Sequence, residues 1–190
     1  MAFVFHGSPV QNLTEIQPRK NGLVYAVKDK IICAMFMASR STGHGVYSRS
    51  IGHEDGIPFL VERYKAALEN LYNNVSGSIY VLDDQDFVQD KLKWQMVSKR
   101  PQAVVQEIKI DNVQKFLFDL AAQGQLKIYR WPSRPKRIPD DDSDLVQTAL
   151  SFNNAEKVEE FKSLFPDLYG KHKQEFDKIT QVQNKDVLNS

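Results

Sequence analysis

The chain has 190 residues, a hydrophobic content of 42% and a formal net charge of +1 at pH 7. This length allows one domain with an appendage or two small domains. A chain of this size buries a sufficient core without disulfides or structural metals. The near-zero charge excludes a general attraction to nucleic acid or to an anionic membrane, and no apolar run approaches the roughly 20 residues that cross a bilayer.

The first part of the sequence predicts strands and helices in alternation. Residues 3–9 and 22–27 are rich in aromatic and β-branched side chains, and each predicts a short strand, the first of which ends at a Gly-Ser-Pro sequence. Asp29 is placed to cap a helix that runs to about Ser39. The pattern then predicts a loop at 40–45, an apolar run at 57–61 and a helix at 64–72. Strands follow at 77–83, 93–98 and 103–110, then a helix at 113–122 and a closing strand at 126–129.

The composition changes after residue 130. Residues 131–139 contain three prolines, which predicts an extended connector, and the acidic run Asp140–Asp142 follows it. Beyond this run the pattern is helical, notably over 156–165 and 172–179. We therefore divide the chain into an α+β domain at 1–130, a connector at 131–142 and a helical C-terminal extension at 143–190.

The N-terminus and the cysteine content predict a cytoplasmic protein. Met1 leads directly into a strand pattern, without the basic segment that begins a signal peptide. Cys33 is the single cysteine, so no intrachain disulfide can form, as is typical of a reducing compartment. We interpret Cys33 as a small buried hydrophobe rather than a nucleophile.

Two polar residues on the first two strands identify the most promising site. His6 ends the first strand and Tyr25 lies within the second, so the sheet would place both side chains. Side chains on rigid elements form preorganised sites more readily than side chains on loops. We therefore expect the chemistry of this protein near His6 and Tyr25.

The order of motifs around these residues resembles the ADP-ribosyltransferase superfamily. The similar branch has a histidine, a tyrosine and then an acidic or other polar residue, and includes poly(ADP-ribose) polymerases and rifampin ADP-ribosyltransferases. The resemblance covers about residues 3–110 and implies a split antiparallel β-sheet core with peripheral helices. The residues that carry it are His6-Gly7-Ser8, Tyr25, Phe36, the strand at 78–83 and the turn at 98–101.

The resemblance implies NAD as a substrate and gives each motif residue a role. His6 would bind the adenosine-side ribose, Gly7 would offer its backbone N–H and C=O to the nicotinamide carboxamide, and Ser8 would hold a ribose hydroxyl. Tyr25 and Phe36 would enclose the nicotinamide ring by offset stacking. Nicotinamide would leave as positive charge develops on the ribose, so catalysis would rest on positioning and electrostatics.

The third motif residue departs from the family pattern. Gln95 occupies the position where an acidic residue is expected, and Asp83 is the alternative. A neutral amide can orient a ribose hydroxyl but stabilises positive charge less than a carboxylate does. The resemblance implies ADP-ribose transfer to an unknown protein, nucleic-acid or small-molecule acceptor. The missing carboxylate supports the alternative, a catalytically silent nucleotide- or protein-binding module.

Two other features suggest chemistry but have simpler interpretations. Basic residues interleaved with aromatic ones at 127–137 fit a nucleic-acid-modifying relative, but the neighbouring acidic run favours a solvated connector. His44 and His53 lie in a polar stretch without the spacing or cysteine partners of a metal site. We interpret that stretch as a mobile flap over the cleft.

Overall fold

The computed structural model describes residues 2–38 and 45–179. The chain divides into two compact units, Met1–Pro132 and Ser133–Ser190. The first unit combines helices with sheets whose strand pairs are mostly antiparallel, and the described part of the second unit is helical. The prediction of an α+β protein with a helical C-terminal region is confirmed at this level.

The first unit contains three sheets within its described residues. A six-stranded antiparallel sheet has the order β10-β6-β1-β3-β8-β7, a three-stranded sheet has the order β11-β5-β4, and β2 pairs with β9. The strands are β1 (Phe3–Ser8), β2 (Glu15–Ile16), β3 (Val24–Val27), β4 (Arg49–Glu54), β5 (Ile57–Glu62), β6 (Gly77–Asp83), β7 (Val88–Gln89), β8 (Gln95–Ser98), β9 (Gln102–Ala103), β10 (Gln106–Ile110) and β11 (Lys127–Tyr129).

Alternation along the strands separates two apolar clusters. The helices of the first unit are α1 (Lys30–Met35), α2 (Gly45–Ser48), α3 (Ala67–Tyr72) and α4 (Val113–Ala122). Side chains of α1, α3 and α4 pack with Val27 and Ile79 in the larger cluster. The smaller cluster contains Val4, Val24 and Tyr80. Because neighbouring residues of a strand face opposite sides, the six-stranded sheet has apolar packing on both faces.

Helix α1 begins as the sequence predicts. The Asp29 carboxylate accepts hydrogen bonds from the backbone N–H groups of Ile31, at 2.7 Å, and Ile32, at 3.4 Å. These bonds satisfy donors that the first turn of a helix leaves unpaired. Cys33 is buried in this helix, as expected. The helix ends at Met35, and the predicted end at Ser39 lies outside the described residues.

Two sequence-based assignments in the first unit differ from the structure. Residues 103–110 do not form one strand, because β9 pairs with β2 whereas β10 pairs with β6. The expected flap is wrong for His53, which lies in β4 and pairs with Pro58 of β5. The Asp55-Gly56 turn explains this hairpin, since both residues have the positive φ that a type I′ β-turn requires. His44 lies outside the described residues.

The second unit is described by itself. Its helices are α5 (Ser143–Ser151), α6 (Ala155–Leu164) and α7 (Pro166–Lys171), and residues 173–179 are also helical. Phe161 and Phe176 are buried with ring centroids 5.2 Å apart. The segment before α5 forms turns rather than the expected extended connector. There, Arg134 donates to the carbonyl of Pro139 and to the carboxylate of Asp142, both at 2.7 Å.

No helix within residues 2–38 and 45–179 combines the length and the apolar character needed to cross a bilayer.

Candidate functional site

The two edges of strand β1 are paired very differently. Toward β6, all six residues from Phe3 to Ser8 have register partners. Toward β3, the register contains the single pair Phe5↔Val27. The sheet is therefore continuous on one side of β1 and opens on the other side, immediately after Phe5.

The hydrogen-bond pattern shows which backbone groups face this opening. In an antiparallel ladder, the N–H and C=O of alternate residues point to the same neighbour. The Asp84 N–H donates to the Ala2 carbonyl at 3.3 Å, so even-numbered residues of β1 direct their backbone groups toward β6. The odd-numbered residues Phe5 and Gly7 therefore direct theirs toward β3.

The His6 imidazole takes the place of the next rung of this ladder. If β1 and β3 continued to pair beyond Phe5↔Val27, the Gly7 N–H would donate to the Tyr25 carbonyl. The register has no Gly7–Tyr25 pair, and the Tyr25 carbonyl lies 2.6 Å from His6 Nδ1. The His6 ring thus bridges the diverging strands, and the Gly7 N–H and C=O are directed into the space between them.

This opening leads into a cavity of about 280 Å³. Its walls include Gly7 of β1, Tyr25 of β3, Gln95 of β8 and Phe36, which follows helix α1. Several of these side chains share one face of the sheet, because Val27 lies opposite both Phe5 and Gln95 in the ladders. We call this cavity compartment A.

A second cavity of about 350 Å³ adjoins the first. Its walls include Ser8 and the chain that follows it, together with Glu15 and Ile16 of β2. We call it compartment B. The two compartments share five lining residues, so they form one cleft, and the shared residues are His6, Gly7, Arg19, Tyr25 and Phe36.

The proton position on His6 follows from its partner. A carbonyl oxygen only accepts hydrogen bonds, so Nδ1 carries the proton that His6 shares with Tyr25. Burial lowers the pKa of His6 below its ordinary value, the bond to Tyr25 opposes this, and the positive charge of Arg19 lowers the pKa further. The ring is therefore neutral at pH 7, with Nε2 as an unprotonated acceptor. Such a group suits a ligand hydroxyl.

A tight turn before β3 positions Tyr25 and Arg19 together. The backbone N–H of Arg19 donates to the Leu23 carbonyl at 3.0 Å. The backbone N–H of Gly22, whose φ is +75°, donates to the Arg19 carbonyl at 2.8 Å. Within this turn, the Asn21 amide donates to the Tyr25 hydroxyl at 2.7 Å. The Arg19 guanidinium lies 5.6 Å from the centre of the Tyr25 ring, within the range of a cation–π contact.

Phe36 supplies a second aromatic surface to the cleft. Its side chain is 45% exposed, although it follows a buried helix. It is held from the side by Trp94, with centroids 5.8 Å apart, and by the Arg49 guanidinium at 5.7 Å. An exposed ring that is supported by neighbours provides a surface on which a planar ligand can stack.

The two candidates for the third motif residue lie in different places. Gln95 lines compartment A. Asp83 pairs with Phe3 at the far end of β1 and lines neither compartment, and its carboxylate accepts from the Gln85 N–H at 3.0 Å. At about 3.4 Å per residue, Asp83 lies roughly 10 Å along the ladder from the His6 position. The structure thus brings Gln95 to the cleft but not Asp83.

Gly7 also has a packing requirement on the helix side. A Cβ atom at this position would lie 2.6 Å from the Cys33 carbonyl and 3.2 Å from the Met37 side chain. Close approach of α1 to β1 therefore needs a glycine. The same burial raises the pKa of the Cys33 thiol, which opposes a nucleophilic role.

Ser8 ends the strand on the compartment B side. Its side chain is 6% exposed, and its hydroxyl oxygen accepts from the Val10 N–H at 3.1 Å. This bond turns the chain away from the sheet, and the hydroxyl proton remains available for donation.

The basic residues near the end of the first unit are used in ion pairs. Lys127 binds Glu54 at 2.8 Å, and Arg130 binds Glu62 at 2.9 Å and also contacts Glu69. These pairs reduce the field that a nucleic-acid backbone would meet. No group of three or more histidine, cysteine or acidic side chains suited to a metal occurs within the part of the chain that the structure describes.

Arg19 and Trp94 are not among the site residues predicted from the sequence. The Asn21-Gly22 pair before an apolar strand is a strong turn signal, and it would have brought Arg19 back beside β3. Trp94 directly precedes Gln95, but its contact with Phe36 depends on the position of α1 over the sheet. That position is a property of the tertiary structure.

Comparison with known proteins found no matching protein-family model, curated protein or solved structure.

Proposed function

We propose that this protein is an NAD-binding ADP-ribosyltransferase-like protein, acting in the cytoplasm, whose six-stranded sheet is the split antiparallel core of that superfamily. One observation carries the proposal. His6, Gly7, Ser8, Tyr25, Phe36 and Gln95, which carry the sequence resemblance, all line one cleft at the point where the sheet opens.

In this proposal, compartment A receives the nicotinamide end of NAD. The Gly7 N–H and C=O are a donor and an acceptor on one strand edge, which matches the two hydrogen-bonding groups of a carboxamide. Tyr25 and Phe36 offer aromatic surfaces to the ring, each contact being worth about 0.5–1.5 kcal/mol beyond the buried area. The adenosine end then extends along compartment B, with the unprotonated Nε2 of His6 accepting from a ribose hydroxyl.

The transfer step breaks the bond between nicotinamide and the ribose. Nicotinamide leaves with the electron pair of that bond, and a nucleophilic acceptor bonds to the same ribose carbon and releases its proton to solvent. Gln95 has a neutral amide that can orient a ribose hydroxyl beside the reacting carbon. The acceptor approaches from solvent along the exposed side of Phe36.

A second candidate function is a nucleotide-binding module without turnover. A specific observation favours it, because no carboxylate lines compartment A among the described residues. Anionic groups stabilise a developing cation far better than an amide does. Replacing Gln95 with Glu distinguishes the two candidates. If the cleft is a transferase site, Q95E releases nicotinamide from NAD faster than the wild type, whereas a silent module gains no nicotinamide release.

The proposal is tested by calorimetry with NAD. We expect saturable binding by the wild type and at least a tenfold weaker affinity for Y25A, because the stacking and burial on Tyr25 are lost. Phe3→Ala is the control, since Phe3 is an exposed aromatic residue on the neighbouring strand β1 and lines neither compartment. F3A should bind like the wild type. Absence of binding at millimolar NAD, or equal binding by Y25A, contradicts the proposal.

A further inference from the structure

We propose that Arg19 is the diphosphate anchor of the cleft, and therefore that the cleft selects ligands with two parts joined by an anionic bridge. This inference rests on the proposed function and extends it. It assigns the binding of the charged centre of the ligand to a residue outside the motifs that carry the sequence resemblance.

The first argument is position. Arg19 lines both compartment A and compartment B, together with His6, Gly7, Tyr25 and Phe36. Residues shared by both compartments mark the passage between them. In a dinucleotide, the diphosphate joins the two nucleoside halves, so a ligand that fills both compartments brings its diphosphate to this passage.

The second argument is charge. Arg19 is the only lysine or arginine that lines either compartment within the described residues. His6 adds no second positive charge to the cleft, because burial and the nearby Arg19 lower the pKa of its ring. The carboxylate of Glu15 lies in compartment B, where it contacts the Gln17 amide. A diphosphate in the passage therefore has one cationic partner, and the planar guanidinium suits phosphate oxygens better than an ammonium group does.

The third argument is preorganisation. The turn that contains Gly22 holds the Arg19 backbone at both its N–H and its C=O. The guanidinium rests over the Tyr25 ring, so the side chain already lies at the cleft before a ligand arrives. A side chain held in place loses less freedom on binding than a mobile one, which increases affinity. A guanidinium stacked on a ring also keeps its N–H donors free at the ring's edge.

The test compares three ligands on matched variants by calorimetry. Arg19→Gln should weaken NAD and ADP-ribose binding at least tenfold and flatten the dependence of affinity on salt, while nicotinamide, which lacks a diphosphate, should bind as it does to the wild type. Lys20→Gln is the control, because Lys20 is the neighbouring exposed cation and lines neither compartment. Its affinities should stay within twofold of the wild type. Arg19→Lys should bind NAD with intermediate affinity, since it keeps the charge but loses the planar donor pair.

The outcomes separate this inference from the proposed function. If Arg19→Gln binds NAD as tightly as the wild type while Y25A does not, the proposed function stands and the diphosphate assignment is overturned. Equal losses in Arg19→Gln and Lys20→Gln also overturn it, because a general surface charge then explains the effect. If the wild type binds neither NAD nor ADP-ribose, both proposals fail. Thermal melting of each variant shows whether it is folded.

Discussion

Strand β1 has a closed edge and an open edge, and the contrast between them explains where a ligand can bind. On the closed edge, β1 pairs with β6 over six residues. On the open edge, β1 pairs with β3 at one residue. Beyond that residue, the His6 ring is hydrogen-bonded to the Tyr25 carbonyl. A strand edge with unpaired backbone groups is a template for further hydrogen bonding. In this protein such an edge is located inside a cleft.

The strands on the closed edge of β1 also hold one wall of the cleft in place. Glu107, on β10, accepts hydrogen bonds from the Ser78 hydroxyl at 2.6 Å and from the Asn12 N–H at 2.9 Å. The Tyr80 hydroxyl donates to the Val10 carbonyl at 2.8 Å. These bonds fasten the chain after β1, which forms a wall of compartment B, to the paired half of the sheet. The continuously paired half of the sheet thus supports the half that is open to a ligand.

The largest expected effect comes from removing the close approach at Gly7. Gly7→Ala places a Cβ atom against the Cys33 carbonyl, and overpacking of this kind typically destabilises a protein by about 1–3 kcal/mol. It should also abolish NAD binding, because α1 and β1 must move apart. Denaturant unfolding and calorimetry measure the two effects. Gly170→Ala is the control, since open space surrounds that position. Unchanged stability of G7A contradicts the packing argument.

An intermediate effect is expected from the protonation of His6. Its pKa in the folded protein lies below the ordinary value of about 6.5. NAD affinity should therefore be constant from pH 8 to about 6.5 and fall at lower pH, as Nε2 acquires a proton and ceases to accept. Stability depends on pH in the same direction. The contribution of neutral His6 to the free energy of unfolding is fully present above the unfolded pKa and is lost as the pH falls through the lowered folded pKa.

Calorimetry across this pH range, with His6→Gln as the comparison, measures the effect. H6Q should bind NAD more weakly and lose the acidic decline, because glutamine does not titrate. A decline of the same size in H6Q would show that another group is responsible. NMR of the imidazole nitrogens should show the proton on Nδ1.

The smallest expected effect concerns the closed edge. Hydrogen bonds from Ser78 and the Asn12 backbone lower the pKa of Glu107 below its ordinary value. Its contribution to stability is present above the unfolded pKa of about 4.3 and is lost as the pH falls through the lowered folded pKa. Glu107→Gln should therefore melt at a lower temperature than the wild type at pH 7, with the difference shrinking below about pH 4. A difference that is the same at pH 7 and pH 3 argues against this account.

Local signals in the sequence predicted much of the framework. The β-branched and aromatic runs gave β1, β3 and β6, and Asp29 gave the start of α1. The β4–β5 hairpin was missed because its polar outer residues masked the Asp-Gly turn signal at residues 55–56. Local patterns with a strong physical cause were thus predictable, whereas a strand with a single large apolar residue, Ile51, was not.

The candidate site was predictable only in part. The positions of His6, Tyr25, Phe36 and Gln95 around one cleft follow from the motif order, although their roles toward a ligand are still predictions. Asp83 and Gln95 could not be distinguished from sequence, because each is a polar residue at the end of a strand. Asp83 is the last residue of β6, and Gln95 is the first residue of β8. The choice depends on strand order, which places Gln95 opposite Val27 and Asp83 opposite Phe3.

The most direct test of the account is an amide chemical-shift titration of the whole chain with NAD. The central claim is that the open edge of β1 receives the ligand through backbone groups of Gly7. The account predicts a large, saturable shift of the Gly7 amide, with smaller changes at Ile79, its partner on the closed edge. A titration in which the Gly7 and Tyr25 amides stay unchanged, or in which the shifts fall only within Ser133–Ser190, would contradict it.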